Sequence, residues 1–235
     1  MSLPQRILVT GGGTGIGYAI AESLVQRGAT VFICGRRRKV IDRAASQIGA
    51  TPISGDITGA PEPLLQACGP IDGLVHNAGS LVQENLGQWT GRAWQDLWEV
   101  HVKGPAMLSQ AFAAQCEGPG AIVAVGSTLG ERPAKGSAAY ASAKAGLLSL
   151  VRSLAVELAP QSIRANAVLP GVVPTAMTNQ NRGNLSAQES LKALEALHPL
   201  GLGQPEQVAQ AVIALMENEW ISGAALAIDG GLLVA

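Results

Sequence analysis

Tyr140 and Lys144 stand four residues apart in a stretch with helical patterning, so their side chains share one face. A free phenol ionises near pH ~10, too high for an efficient base at neutral pH. A neighbouring ammonium stabilises the phenolate and lowers that value. The pair is thus suited to give a proton to a developing alkoxide or to take one from an alcohol. Ser127 precedes them at the end of a predicted strand, where ligand sites of open α/β sheets lie, and its hydroxyl can bond the same substrate oxygen. A second chemical signal opens the chain, in Thr10-Gly11-Gly12-Gly13-Thr14-Gly15-Ile16-Gly17. It follows an apolar run and begins a helical pattern. Gly11 permits the turn off the strand, Gly15 lets a pyrophosphate approach the backbone, and Gly17 lets the helix pack closely on the sheet. The whole loop, Thr14 and Ile16 included, is expected to bind a dinucleotide.

The second predicted strand ends at Cys34 and runs into Gly35-Arg36-Arg37-Arg38-Lys39. A carboxylate there would bind the ribose hydroxyls of NAD, but Gly35 occupies the place. Arg36, or failing it Arg37, can pair bidentately with a 2′-phosphate, which favours NADP(H) while leaving NAD(H) possible. The alternative is a basic helix start on a solvated surface, which the helix dipole disfavours.

The order of these stretches resembles the short-chain dehydrogenase/reductase family, of the 3-oxoacyl reductase-like, NADP-preferring kind. The likeness rests on the glycine loop with its Gly-x-x-x-Gly-x-Gly spacing, His76-Asn77-Ala78-Gly79, Ser127, Tyr140-x-x-x-Lys144 and Pro170-Gly171 with Thr175. It reaches Ile228-Asp229-Gly230-Gly231 and so spans nearly the whole chain. The resemblance implies an adenine contact at Asp56 and Ile57. It implies a loop beside the adenosine ribose at Asn77, Ala78 and Gly79. Pro170, Gly171, Val172 and Thr175 would surround the nicotinamide, with Val172 beside the ring through backbone contacts. Tyr140 and Lys144 would also touch the nicotinamide ribose. One departure concerns His101-Val102-Lys103-Gly104, where the family usually has Asn-x-x-Gly. The usual asparagine supports a bound water in a proton relay to the lysine. His101 can take over that relay, make it sensitive to pH by charging near neutrality, weaken it, or simply bond backbone. His76 also replaces a common asparagine and reads as structural.

The elements that must position these groups alternate. Continuous apolar runs at 7–10, 30–34, 51–54, 73–76, 121–126, 164–169 and 226–228 predict strands buried on both faces of a parallel sheet. Helical patterns at 15–27, 38–48, 93–115, 138–159 and 205–216 lie between them, with an abbreviated helix near 63–67. The expectation is one domain over residues 1–235, a Rossmann-like, doubly wound fold with a seven-stranded parallel sheet flanked by helices. Ser186 and Glu189 have capping-box spacing before Leu191, Leu194 and Leu197. Residues 175–199 thus read either as an apolar substrate flap or as a docked surface helix. Trp94 and Trp98 read as a core or interface stripe, and the resemblance implies a homodimer or homotetramer.

Composition narrows the classes. Charged residues are 14% and the net charge is −1, so no basic field exists to recruit nucleic acid or an anionic membrane. No apolar run reaches the ~18 residues needed to span a bilayer. The start lacks a signal pattern, and three scattered cysteines fit reduced cytoplasmic thiols; no metal site is expected. The reading is an NADP-dependent oxidoreductase acting on a ketone or secondary alcohol, such as a 3-oxoacyl thioester or ring ketone. The alternatives are a cofactor-binding regulator or scaffold with little turnover, and an isomerase or dehydratase using transient hydride transfer. The Tyr-x-x-x-Lys spacing counts against the related enoyl reductases.

Overall fold

A computed structural model describes residues 3–178 and 186–235. Strand β1 (Arg6–Thr10) and helix α1 (Gly15–Gln26) open the chain. Strand β2 (Thr30–Gly35), helix α2 (Arg38–Ile48), strand β3 (Thr51–Ser54) and the short helix α3 (Glu62–Cys68) follow. Next come β4 (Gly73–His76), α4 (Gly91–Trp98), a π-helical turn (Glu99–Lys103), α5 (Gly104–Gln115) and β5 (Gly120–Val125). The chain closes through α6 (Ala138–Glu157), β6 (Ile163–Pro170), α7 (Ala187–Glu195), α8 (Pro205–Glu217) and β7 (Ala225–Ile228).

The strands form one parallel seven-stranded sheet in the order β3-β2-β1-β4-β5-β6-β7. Residues of β1 alternate between its faces. Ile7 and Val9 join a core with α1, α2 and α8, while Leu8 joins a second core with α3, α5 and α6. That double coverage is why the central strands are continuous apolar runs rather than alternating ones. The edges are β3, exposed at three of its four residues, and β7, where Leu226 is partly solvated. The chain winds outward through β1, β2 and β3, then returns to lay β4 beside β1. The carboxyl ends of β1 and β4 therefore flank a topological switch point, where a crevice must open.

The single helix expected over 93–115 is instead two helices joined by the π turn. Pro105 supplies the cause. It has no N–H for the carbonyl of His101 four residues earlier, and its ring crowds that carbonyl. The Gly104 amide bonds the Glu99 carbonyl five residues back, giving the wider turn. A methyl on Gly104 would lie 2.7 Å from the Ile57 carbonyl oxygen, so only glycine admits this packing. The capping box of Ser186 and Glu189 forms and starts α7. Its leucines make no common buried stripe: Leu191 and Leu194 are half-buried and Leu197 is exposed, while Ser190 and the following His198 are buried. The rest of the predicted flap, residues 179–185, lies outside the described residues. No helix among the described residues is long and apolar enough to cross a membrane.

Candidate active site

The crevice at the switch point is a cavity of about 770 Å³. At one end the glycine loop leaves β1. Gly11 has a positive φ of 65°, and a methyl on it would lie 2.9 Å from the Ala78 Cα. Gly17 is closed by packing: its Cβ would lie 2.4 Å from the Gly11 carbonyl oxygen. Thr14 precedes α1 in extended conformation without capping it through its side chain, and the first turn has no acidic residue. The first N–H groups of α1 therefore lack a side-chain partner and sit at the positive end of the helix, beside the cavity. This is the donor set that a pyrophosphate requires.

Two residues hold the loop in place. The Thr10 hydroxyl donates to the Val75 carbonyl at 3.1 Å and accepts from the amides of Asn77 and Ala78 at 2.9 and 3.1 Å. The Asn77 side-chain amide donates to the carbonyls of Thr10 and Gly11 at 3.0 and 3.2 Å. The Asn77 side chain is thus committed to bracing the glycine loop, which sequence alone does not disclose. Thr10 was visible only as a polar residue ending an apolar strand.

Arg36, Arg37, Asp56 and Ile57 line the same cavity beyond the end of β2. Both arginines are exposed, and Arg36 lies 3.9 Å from the Asp56 carboxylate. Gly35 leaves the strand end free of any carboxylate, and its absent Cβ makes room for Ile41, 3.0 Å away. The residues present therefore suit a dinucleotide carrying a 2′-phosphate: uncapped helix amides for the pyrophosphate and two guanidinium groups for the extra charge.

At the other end the cavity is lined by Ser127, Tyr140, Lys144, His101 and Gly79. Ser127 lies two residues beyond β5, and its Oγ accepts from the Leu129 amide at 3.1 Å. Tyr140 and Lys144 enter from the first turns of α6, both buried. The Lys144 ammonium donates to the Val125 carbonyl at 2.7 Å and lies 5.7 Å from the centre of the Tyr140 ring. Burial decides the titration of both. It pushes the Tyr140 phenol up to about 12, partly offset by its hydrogen bond with Ser127, and it pulls Lys144 down to about 7. The expected net lowering of the phenol by the ammonium is not found, because burial dominates. At neutral pH the phenol keeps its proton.

His101 reaches this end from the π turn, only 2% exposed. Its Nε2 donates to the Ser80 carbonyl at 2.8 Å, and its ring meets Tyr140 edge-on, 5.2 Å between centroids. Its Nδ1 is buried and has no hydrogen-bond partner among the described residues. A methyl on Gly79 would lie 2.4 Å from the His101 ring, so that glycine makes room for the imidazole. Burial, reinforced by the Lys144 charge, lowers His101 to about 3, so the expected charging near neutrality does not occur. His76 is also buried, bonded to Ser109 at 2.8 Å and equally neutral.

Pro170, Gly171 and Thr175 line the cavity, but Val172 does not; Val173 takes that place. The reason is visible in the backbone. The Val172 amide bonds His198 and its carbonyl accepts from Gly203, so neither faces the crevice. Among the described residues no group of three or more His, Cys, Asp or Glu is placed to hold a metal ion.

A parallel sheet with a glycine loop at its switch point, and a Ser, Tyr and Lys beyond it, defines the class of dinucleotide-dependent oxidoreductases. Comparisons with known proteins agree. A family described as enoyl-(acyl carrier protein) reductase matches residues 11–233. The chain is 34% identical to 2-(S)-hydroxypropyl-CoM dehydrogenase 3 of Xanthobacter autotrophicus, covering 97% of this chain and 96% of that protein. It is 33% identical to cyclopentanol dehydrogenase of a Comamonas species, covering 96% and 95%. The NADPH-bound structure of a short-chain oxidoreductase from Pseudomonas aeruginosa PAO1, described as containing an atypical catalytic center, superposes with a TM-score of 0.89. It is 30% identical over 97% of this chain and 96% of that one. The chain belongs to the short-chain dehydrogenase/reductase family.

Proposed function

We propose that this protein is an NADP(H)-dependent oxidoreductase that interconverts a carbonyl compound and a secondary alcohol. The observation that carries the reading is a single cavity. It joins the glycine loop and the Arg36–Arg37 pair at one end to Ser127, Tyr140 and Lys144 at the other. The glycine loop and α1 would hold the pyrophosphate, Arg36 the 2′-phosphate, and Asp56 and Ile57 the adenine. When bound, NADPH supplies hydride to the carbonyl carbon. Tyr140 gives its proton to the oxygen as negative charge develops there. Ser127 donates to the same oxygen and orients it. Lys144, fixed by the Val125 carbonyl, places its charge under the phenol and holds the ribose. His101 is a positioning residue whose edge contact sets the tilt of the Tyr140 ring. The protonated phenol suits the reducing direction at neutral pH; the oxidising direction needs the phenolate, which Lys144 supports when charged.

For the substrate we favour a moderately apolar ketone, either a ring ketone or a 3-oxoacyl thioester. Support comes from Val82 and Met177, apolar side chains that line the cavity. The two relatives are also named for secondary alcohols, cyclopentanol and 2-(S)-hydroxypropyl-CoM. A homodimer or homotetramer is the favoured assembly, because Trp98, Met107 and Val156 are partly or largely solvated on α4, α5 and α6. A cytoplasmic home is supported by three free thiols, of which Cys34 and Cys68 are buried.

The test is NADPH oxidation by the purified protein with cyclic ketones, 3-oxoacyl thioesters, aldehydes and 2-enoyl thioesters, with NADH in parallel. Turnover of a ketone class with NADPH supports the proposal. Turnover of the enoyl thioester alone would move the function to reduction of a carbon–carbon double bond, which the family description allows and the Tyr140–Lys144 spacing disfavours.

A further inference from the structure

His198 stands outside every motif of the chain, yet it lies behind the nicotinamide end of the cavity. It follows α7 and is 5% exposed. Its Nδ1 bonds the Leu194 carbonyl at 2.8 Å, and its Nε2 bonds the Val172 amide at 3.1 Å. The two contacts fix the tautomer. A carbonyl only accepts and a backbone amide only donates, so Nδ1 carries the proton and Nε2 offers its lone pair. One imidazole therefore closes the last turn of α7 and holds the strand-end loop Pro170-Gly171-Val172.

The surroundings are fitted to that ring. A methyl on Gly171 would lie 2.8 Å from His198 Nε2 and 3.0 Å from the Asp229 Cα, so glycine at 171 leaves the imidazole its place. The loop is also pinned by the Gly203 amide on the Val172 carbonyl at 3.0 Å, by the Gly171 amide on the Ile228 carbonyl at 3.0 Å, and by the Thr128 hydroxyl, which donates to the Pro170 carbonyl at 3.3 Å. Among these contacts, only that of His198 leads to α7. With both polar groups of Val172 turned away from the crevice, the neighbouring Val173 is left to form its wall.

We propose that His198 is a positioning residue for the nicotinamide half of the cofactor site, coupling the placement of α7 to the Pro170–Val173 loop. The proposal rests on the reading that this loop receives the nicotinamide. Without the imidazole acceptor, the Val172 amide turns to find another partner, and the wall formed by Val173 shifts with it.

The test separates the two halves of the cofactor. His198→Leu, which cannot accept a hydrogen bond, should weaken NADPH binding roughly tenfold, the cost of a buried donor left unpaired. It should leave binding of 2′,5′-ADP, which carries only the adenosine half, within about twofold of wild type, a difference of ~0.4 kcal/mol. His198→Gln offers an amide oxygen at similar reach, and should restore NADPH affinity to within about threefold. Unchanged NADPH affinity in the leucine variant would overturn the proposal, as would equal weakening of both ligands. Should the leucine variant fail to fold, nitrogen NMR of the wild-type imidazole decides: an Nδ1–H tautomer is expected, and an Nε2–H tautomer would overturn the coupling. Failure of the wild type to bind NADPH at all would refute the cofactor reading itself, and the tautomer would still report whether the link exists.

Discussion

Lowering the pH should destabilise this protein earlier than its surface charges alone predict, because His76 and His101 are buried in neutral form. His76 sits at the end of β4 with one nitrogen on Ser109, and His101 sits under Tyr140 with one nitrogen on Ser80. Burial lowers each to about 3, from an ordinary value of 6.5. Between those values the unfolded chain binds protons that the folded protein refuses. Stability therefore rises with pH across the window and is lost as the pH falls below 6.5. Each histidine contributes a slope of ~1.4 kcal/mol per pH unit, so at about pH 5 the pair removes about 4 kcal/mol. Lys144, lowered only to about 7, is protonated in both states over this interval and adds almost no slope. Against a total stability of about 5–15 kcal/mol, the loss is large. Urea unfolding followed by tryptophan fluorescence at about pH 7, 6 and 5 measures it directly. His101→Asn should lower the slope by the ~1.4 kcal/mol per pH unit that His101 contributes, leaving that of His76. A urea midpoint that stays constant from pH 7 to 5 would refute the account of both sites as closed, neutral pockets.

Two further substitutions probe the cofactor end. Gly17→Ala places a methyl 2.4 Å from the Gly11 carbonyl and 2.3 Å from the Asn77 amide that braces the loop. Calorimetry should show a loss of roughly 1–3 kcal/mol, and NADPH titration should show weakening beyond about tenfold. Arg36→Ala should weaken NADPH by roughly 10–100-fold while changing NADH little, because the lost contact is a charge-assisted bond to a phosphate that NADH lacks. Equal effects on the two cofactors in parallel fluorescence titrations would move the 2′-phosphate contact to Arg37.

The strands and the glycine loop were legible because their information is local. Residues 7–9 are apolar on both faces, and a loop of glycines between strand and helix has few other uses. The approximate place of Ser127, Tyr140 and Lys144 was legible for the same reason, through spacing and strand ends. What stayed hidden depends on contacts far apart in the chain. The π turn arises where Pro105 cannot bond His101 and Gly104 packs on Ile57, and no periodicity records that. Val173 rather than Val172 faces the cavity because His198, 26 residues later, takes the Val172 amide. A lone histidine at the end of a short helix gives no signal of such a partner. The sense of the Tyr140 shift also escaped, because spacing to Lys144 reveals the charge nearby but not the burial that outweighs it.

The central claim is that Tyr140 is the acid that completes carbonyl reduction. Tyr140→Phe removes one oxygen atom from a buried ring whose packing it otherwise preserves. The most direct test measures its kcat for NADPH-dependent reduction of the best ketone of the panel, together with its Kd for NADPH. A fall in kcat of roughly 10²–10⁴-fold, with NADPH affinity within about threefold of wild type, is the predicted result. Near-wild-type turnover in that variant would contradict the account and require another proton donor in the cavity.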